Sequence, residues 1–117
     1  MIMFVEYLPC STCQKAKRWL RDYGFDIVSR HIVNDTPNAN ELALWIQKSG
    51  LPVERFFNTS GKLYREMGLK ERLRSMDDAA KIELLASDGM LIKRPLLIKD
   101  DTVLVGFNEQ SYKATLL

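Results

Sequence analysis

Cys10 and Cys13 are the only cysteines in a chain of 117 residues, and Ser11 and Thr12 alone separate them. The apolar run Ile2-Met3-Phe4-Val5 lies just upstream, and Pro9 directly precedes the pair. Downstream, Ala16, Trp19, Leu20 and Tyr23 recur at the i, i+3, i+4, i+7 spacing of one helix face. A cysteine at the start of a helix meets unpaired backbone N–H groups and the positive end of the helix dipole, and both favour an anion. Cys10 is therefore expected to ionise more readily than free cysteine, its pKa falling from about 8.5 into the range of roughly 3.5 to 7.5. Lys15, Lys17, Arg18 and Arg21 add positive charge along the same helix. The thiolate is the nucleophile in sulfur chemistry, so the pattern reads as a reactive redox pair with an exposed Cys10. Cys13, one turn into the helix, is open to two readings, a second redox sulfur or an inert core residue. Zinc is set aside, because a structural site needs four ligands and the chain adds only His31 to its two cysteines.

A second group of residues bears on the same chemistry. Lys93-Arg94-Pro95 stands directly before the apolar stretch Leu96-Leu97-Ile98. A proline at the first position of a strand is allowed because its missing N–H falls outside the ladder. X-Pro bonds also tolerate the cis form far better than other peptides. Pattern alone leaves Pro95 open between a trans strand-starter and a cis bond that brings Arg94 toward Cys10. Arg94 carries a planar fork of donors suited to binding an oxyanion or steadying a thiolate. The competing reading is a solvated surface arginine.

These residues need elements to hold them. Ile2 to Tyr7 read as a buried strand without alternation, as in a central strand covered on both faces. A helix follows from Ser11 to Tyr23, with Gly24 as its stop, and Ile27 to Ile32 read as a second strand, parallel to the first. Asn38 and Glu41 have the spacing of a capping box, opening a helix with Leu42, Trp45 and Ile46 on its apolar face and Gly50 at its end. Glu54 to Phe57, Tyr64 to Met67 and Glu71 to Leu73 suggest short helical turns, broken at Gly68. A firmer helix spans Asp78 to Ala86 with acidic residues at its start. Leu96-Leu97-Ile98 and Val103-Leu104-Val105 form a hairpin around Asp100-Asp101, and Asn108 caps a last helix. His31, Trp19, Trp45, Phe56 and Phe57 read as structural, and Tyr64-Arg65-Glu66 as a solvated helix face, with Arg65 within reach of the site.

Composition fits one soluble globular domain: 46% hydrophobic, 27% charged, net charge +2. That charge is too small to imply nucleic-acid binding. Neither a signal-peptide pattern nor an apolar run approaching the roughly 18 residues of a membrane span is present. A cytoplasmic protein is expected, in which a cysteine pair is catalytic or redox-sensing rather than a structural staple.

Several stretches carry a family resemblance. Pro9-Cys10 before a basic helix, the run from Asn58 to Leu69 (NTSGKLYREMGL), the run from Leu85 to Pro95 (LASDGMLIKRP) and Val105-Gly106-Phe107 together resemble the arsenate reductase (ArsC) family, in its Spx-like and YffB-like branch. The resemblance covers essentially the whole chain. It implies an α/β, thioredoxin-like fold (βαβ…ββα, a four-stranded mixed sheet) in one domain over 1–117, with a helical insertion at about 38–88. It also implies a cis Pro95. In arsenate-reducing members a first cysteine, here Cys10, attacks arsenate, and three arginines bind the oxyanion. Arg94 matches one of the three, while the others fall at Asn58 and Gly106. Each lost arginine removes a charge-assisted contact worth roughly 1.5–3 kcal/mol.

The function so implied is a thiol-dependent oxidoreductase. Cys10 is the nucleophile, Cys13 the resolving cysteine, and Arg94 the residue that holds the thiolate or the anionic substrate. Ser11, Thr12, Asn58 and Pro95 line the substrate, which is a small thiol, disulfide or oxyanion. No bound cofactor or metal is expected. Electrons come from glutathione, glutaredoxin or thioredoxin. The alternative is an Spx-like redox-sensing regulator that binds the C-terminal domain of the RNA polymerase α subunit, for which the loop at Ser49-Gly50-Leu51 matches part of the contact surface.

Overall fold

A computed structural model describes residues 1–117. Strands β1 (Ile2–Glu6), β2 (Ile27–His31), β3 (Leu96–Lys99) and β4 (Thr102–Val105) form one mixed sheet in the order β2-β1-β3-β4. β1 and β2 run parallel, with Ile2 opposite Ile27 and Glu6 opposite His31. β3 runs antiparallel to β1, with Phe4 opposite Leu97, and pairs in a hairpin with β4. Asp100 turns that hairpin with φ +53°, in the region where aspartate is among the few tolerated side chains. Helix α1 (Ser11–Asp22) links β1 to β2. Between β2 and β3 lie α2 (Ala39–Ser49), a 3₁₀ turn at Val53–Phe56, α3 (Lys62–Glu66), α4 (Leu69–Arg72) and α5 (Asp78–Ser87), and α6 (Glu109–Leu116) closes the chain.

Alternation along β1 divides the interior into two cores, since successive strand side chains face opposite ways. Ile2 and Phe4 face α1 and α6, in a cluster with Ala16, Trp19, Leu20, Leu97 and Tyr112. Val5 faces the helices between β2 and β3, in a larger cluster with Leu42, Trp45, Phe56, Phe57 and Leu85. Trp19, Trp45, Phe56 and Phe57 are thus core residues, and so is the half-buried Tyr64, which packs on Phe57 with ring centroids 6.4 Å apart. The solvated face expected for Tyr64-Arg65-Glu66 holds only for Arg65 and Glu66. Glu6 is the charged exception on the α1 side: its side chain is 3% exposed and pairs with Lys17 at 2.9 Å.

The helix ends follow local chemistry. Asn38 and Glu41 form the expected reciprocal capping box, and Gly50 ends α2 at φ +69°. Asp77 caps α5 by accepting from Ala80 N–H, and Asn108 caps α6 by accepting from Ser111 N–H. Arg30 reaches from β2 to grip Glu41 with two hydrogen bonds, of 2.6 and 2.9 Å. No helix is long and apolar enough to cross a membrane.

Candidate active site

Cys10 is the N-cap residue of α1. Its backbone is extended, and its Sγ accepts the Cys13 backbone N–H at 3.4 Å. The Cys10 N–H donates to Tyr7 O at 3.0 Å, fixing the turn between β1 and the helix. A sulfur therefore occupies the place that a serine or aspartate oxygen takes at most helix starts, and it satisfies one of the orphan N–H groups there. Cys10 is half-buried rather than freely exposed. Cys13 is fully buried. Both sulfurs are free thiols.

Burial alone raises the Cys10 thiol, but three donors outweigh it. The Cys13 side chain, the Cys13 N–H and the guanidinium of Arg94 all favour the anion, and the net result lies below the value of a free thiol. Cys13 goes the other way. Burial, reinforced by the neighbouring Cys10 sulfur, pushes its thiol up to about 12. The two sulfurs are thus shifted in opposite directions, Cys10 toward the anion and Cys13 toward the neutral thiol.

Arg94 comes from the extended segment before β3, and its peptide bond to Pro95 is cis. The expected cis geometry is present, and Arg94 is not a solvated surface arginine. Its Cζ sits 4.8 Å from the centre of the Tyr7 ring, which meets His31 edge-on at 6.1 Å. Arg94 Nε and Nη1 are buried and have no hydrogen-bond partner within the chain. Buried donors without partners are costly, and a site built to receive an anion is one place where they persist.

Arg94 lines a cavity of about 300 Å³ whose wall also includes Asn58, Lys62, Leu63, Glu66 and Met90. Asn58 is held by its N–H to Leu91 O at 2.8 Å and by the Ser60 hydroxyl on its Oδ1 at 3.3 Å. Its amide nitrogen lies over Gly61, where a Cβ would come within 2.8 Å. Glycine at 61 is what leaves room for the Asn58 amide in this wall. Ser11 and Thr12 are exposed on the first turn of α1; neither they nor the two cysteines line this cavity, and Pro95 is buried next to Arg94. Arg65 does not line it either. Sequence reasoning missed Tyr7, Lys62 and Met90, and of these only Tyr7, so close to the cysteine pair, offered a signal.

Gly106, where the resemblance placed an arginine, adopts φ +75° and donates its N–H to Pro95 O at 2.8 Å. That left-handed backbone favours glycine. The Tyr112 hydroxyl donates to Gly106 O at 3.3 Å, tying α6 to the same strand end.

Comparison with known proteins places this arrangement. Residues 6–115 match the model of the ArsC family. A Bacillus subtilis protein named Uncharacterized protein YusI is 48% identical over 112 residues, which cover 96% of this chain and 95% of that one. Global transcriptional regulator Spx 2 of Lactococcus lactis is 25% identical over 116 residues, covering 99% of this chain and 86% of its own. Among solved structures, a Bacteroides fragilis protein described as related to the ArsC family superposes with a TM-score of 0.94 at 46% identity, covering 97% and 95% of the two chains. A Streptococcus mutans protein described as a possible arsenate reductase gives 0.88 at 41%, covering 97% and 98%. The mixed sheet with its helices is the thioredoxin-like fold of these proteins. With the match running nearly end to end, on the fold and the sulfur-bearing helix start already in view, the chain belongs to the ArsC family.

Proposed function

We propose that this protein is a thiol oxidoreductase in which Cys10 opens a disulfide or oxyanion substrate and Cys13 completes the exchange. The supporting observation is the pairing of a Cys10 sulfur stabilised as an anion with a buried, protonated Cys13 on the next turn of α1. With a disulfide substrate, the Cys10 thiolate attacks one sulfur, the S–S bond breaks, and the second sulfur leaves as a thiolate. Cys10 is then neutral. The part of the Cys13 elevation that comes from the Cys10 sulfur disappears, while the positive charge of Arg94 remains. Cys13 then gives up its proton and attacks Cys10. The Cys10–Cys13 disulfide forms as the substrate sulfur departs. Two electrons from glutathione, glutaredoxin or a thioredoxin restore both thiols.

Arg94, which shares a cavity wall with Asn58, holds the anionic part of the substrate, and the Cys13 N–H of α1 donates to the reacting sulfur. With Asn58 and Gly106 in place of arginines, arsenate is expected to be a poor substrate beside disulfides. The test is turnover with each electron donor, combined with trapping. Cys10→Ser should abolish turnover, and Cys13→Ser should accumulate mixed disulfides on Cys10. Full activity in Cys10→Ser would overturn the proposal.

The second reading, a redox-gated partner of the RNA polymerase α subunit, draws support from the Spx regulators among the relatives. It predicts saturable binding that changes with the oxidation state of the cysteine pair. Absence of binding in both states removes it. Gly50 lends that reading no weight, because ending α2 already accounts for a glycine there.

A further inference from the structure

Lys93 and Arg94 are adjacent in the sequence, yet they serve opposite faces of one short ladder. Phe57 bridges Ile92, Asn58 N–H donates to Leu91 O, and Lys93 N–H donates to Phe56 O at 2.7 Å. Side chains alternate across such a pair. Asn58 and Arg94 line the cavity described above. Phe57, Thr59 and Lys93 line a different one, of about 170 Å³, together with Arg55.

This second cavity is cationic. Neither Lys93 nor Arg55 enters any ion pair of the chain. The one carboxylate in the wall, Glu54, is already engaged by Lys81. Phe57 and Val105 supply the apolar floor, and the Thr59 side chain adds a hydroxyl. Lys93 is half-buried rather than free in solvent. Its Cε lies 3.4 Å from the point where a Cβ on Gly106 would stand, so the lysine stem lies against the bare backbone of that glycine. Gly106 in turn bonds to Pro95, the neighbour of Arg94. Arg55 is shared with an adjoining cavity of about 260 Å³ that Gly106 also lines. Lys93, one of the two unmatched cations, therefore stands one residue away from Arg94 and shares its cavity wall with the other, Arg55.

We propose that Lys93 and Arg55, with Thr59, form an anion subsite that selects disulfide substrates bearing a carboxylate outside the reacting sulfur–sulfur bond. The proposal rests on the thiol-exchange reading above and names the substrate class for it. A ligand sulfur at Cys10 and a carboxylate across the ladder at Lys93 bring two separated features of one molecule onto one chain. A neutral or cationic disulfide meets only the first.

The test compares oxidised glutathione (anionic), bis(hydroxyethyl) disulfide (neutral) and cystamine (cationic) on the wild type, Lys93→Gln and Arg55→Gln, with thioredoxin and its reductase as the electron source and the rate without the protein subtracted. The wild type should prefer the anionic substrate. Lys93→Gln should cut the anionic-to-neutral preference in kcat/KM by about 5- to 10-fold, intermediate between a charge-assisted hydrogen bond and an exposed ion pair, mostly through KM. Arg55→Gln should cut it less, because Arg55 is exposed. The pH midpoint of Cys10 alkylation should stay in place in Lys93→Gln, which separates a lost carboxylate contact from a disturbed thiolate. An unchanged preference, or equal loss on all three disulfides, overturns the subsite. If the wild type turns over none of the three, the thiol-exchange reading fails separately. The subsite is then judged by NMR titration with succinate. Shifts of the Thr59 and Lys93 amides that vanish in Lys93→Gln support it, and no shifts in the wild type overturn it.

Discussion

Replacing Arg94 with methionine removes a positive charge beside Cys10 while keeping an unbranched side chain to lie on Tyr7. Two unit charges about 4 Å apart interact by roughly 4 kcal/mol at an effective dielectric of about 20 and by roughly 1 kcal/mol in bulk water. Cys10 is half-buried at the mouth of the helix, so its surroundings lie between those limits and nearer the aqueous one. A loss of about 1–2 kcal/mol of thiolate stabilisation corresponds to roughly one pH unit. The donors from Cys13 remain in the variant, and they keep the shift from being larger. The assay is the rate of iodoacetamide alkylation as a function of pH, with mass spectrometry to assign the modified residue. The wild-type midpoint should lie below that of a free thiol, and the Arg94→Met midpoint about one unit above the wild type. Rates well above both midpoints should converge, because the accessibility of the sulfur is the same. Identical midpoints in the two proteins, or a wild-type midpoint at or above about 8.5, would refute the assignment of Arg94 as the cation that holds Cys10 ionised.

Two further outcomes follow from the same geometry. Gly61→Ala places a methyl carbon against the Asn58 amide, which has to shift out of its position in the cavity wall; substrate KM should rise several-fold while unfolding stability changes by less than about 1 kcal/mol, and an unchanged KM would remove Asn58 from the site. Arg30 holds the Glu41 carboxyl below its ordinary value through hydrogen bonds and charge. A depressed carboxyl stabilises the fold above its unfolded pKa of about 4.3, and that contribution is lost as pH falls through the lower folded value. Glu41→Gln should therefore cost about 0.5–1 kcal/mol near neutral pH and progressively less under acid, as chemical denaturation at several pH values would record.

The parts of the fold legible in the sequence are those decided by neighbours along the chain. Asn38 and Glu41, Asp77, and Asn108 each announce a helix start because the capping hydrogen bond spans only three residues. The cysteine pair and the apolar periodicity after it were legible for the same reason. The site beyond the cysteines was less so. Tyr7 under Arg94 depends on the packing of β1 against the segment before β3, and no local period records that contact. Tyr64 looked solvated next to Arg65 and Glu66 because α3 is a single short turn, too brief for a face to show. Lys81, buried against Glu54 across 27 residues, reads in the sequence as one more surface lysine on α5. Lys93 and Arg94 look like one basic dipeptide, and only the pairing of Phe57 with Ile92 sends them to different cavities.

The burial of Cys13 has a further consequence for traffic through the protein. With that sulfur wholly enclosed, outside reagents meet a single doorway at Cys10. On the thiol-exchange reading proposed above, the oxidised substrate enters there, and once the internal disulfide has formed the returning electron donor must strike the same atom, with Cys13 as the leaving group. Loading and unloading thus share one port. Two different reaction partners, a substrate and a reductant, must each be able to dock over the same helix start, and neither can be served while the other is in place.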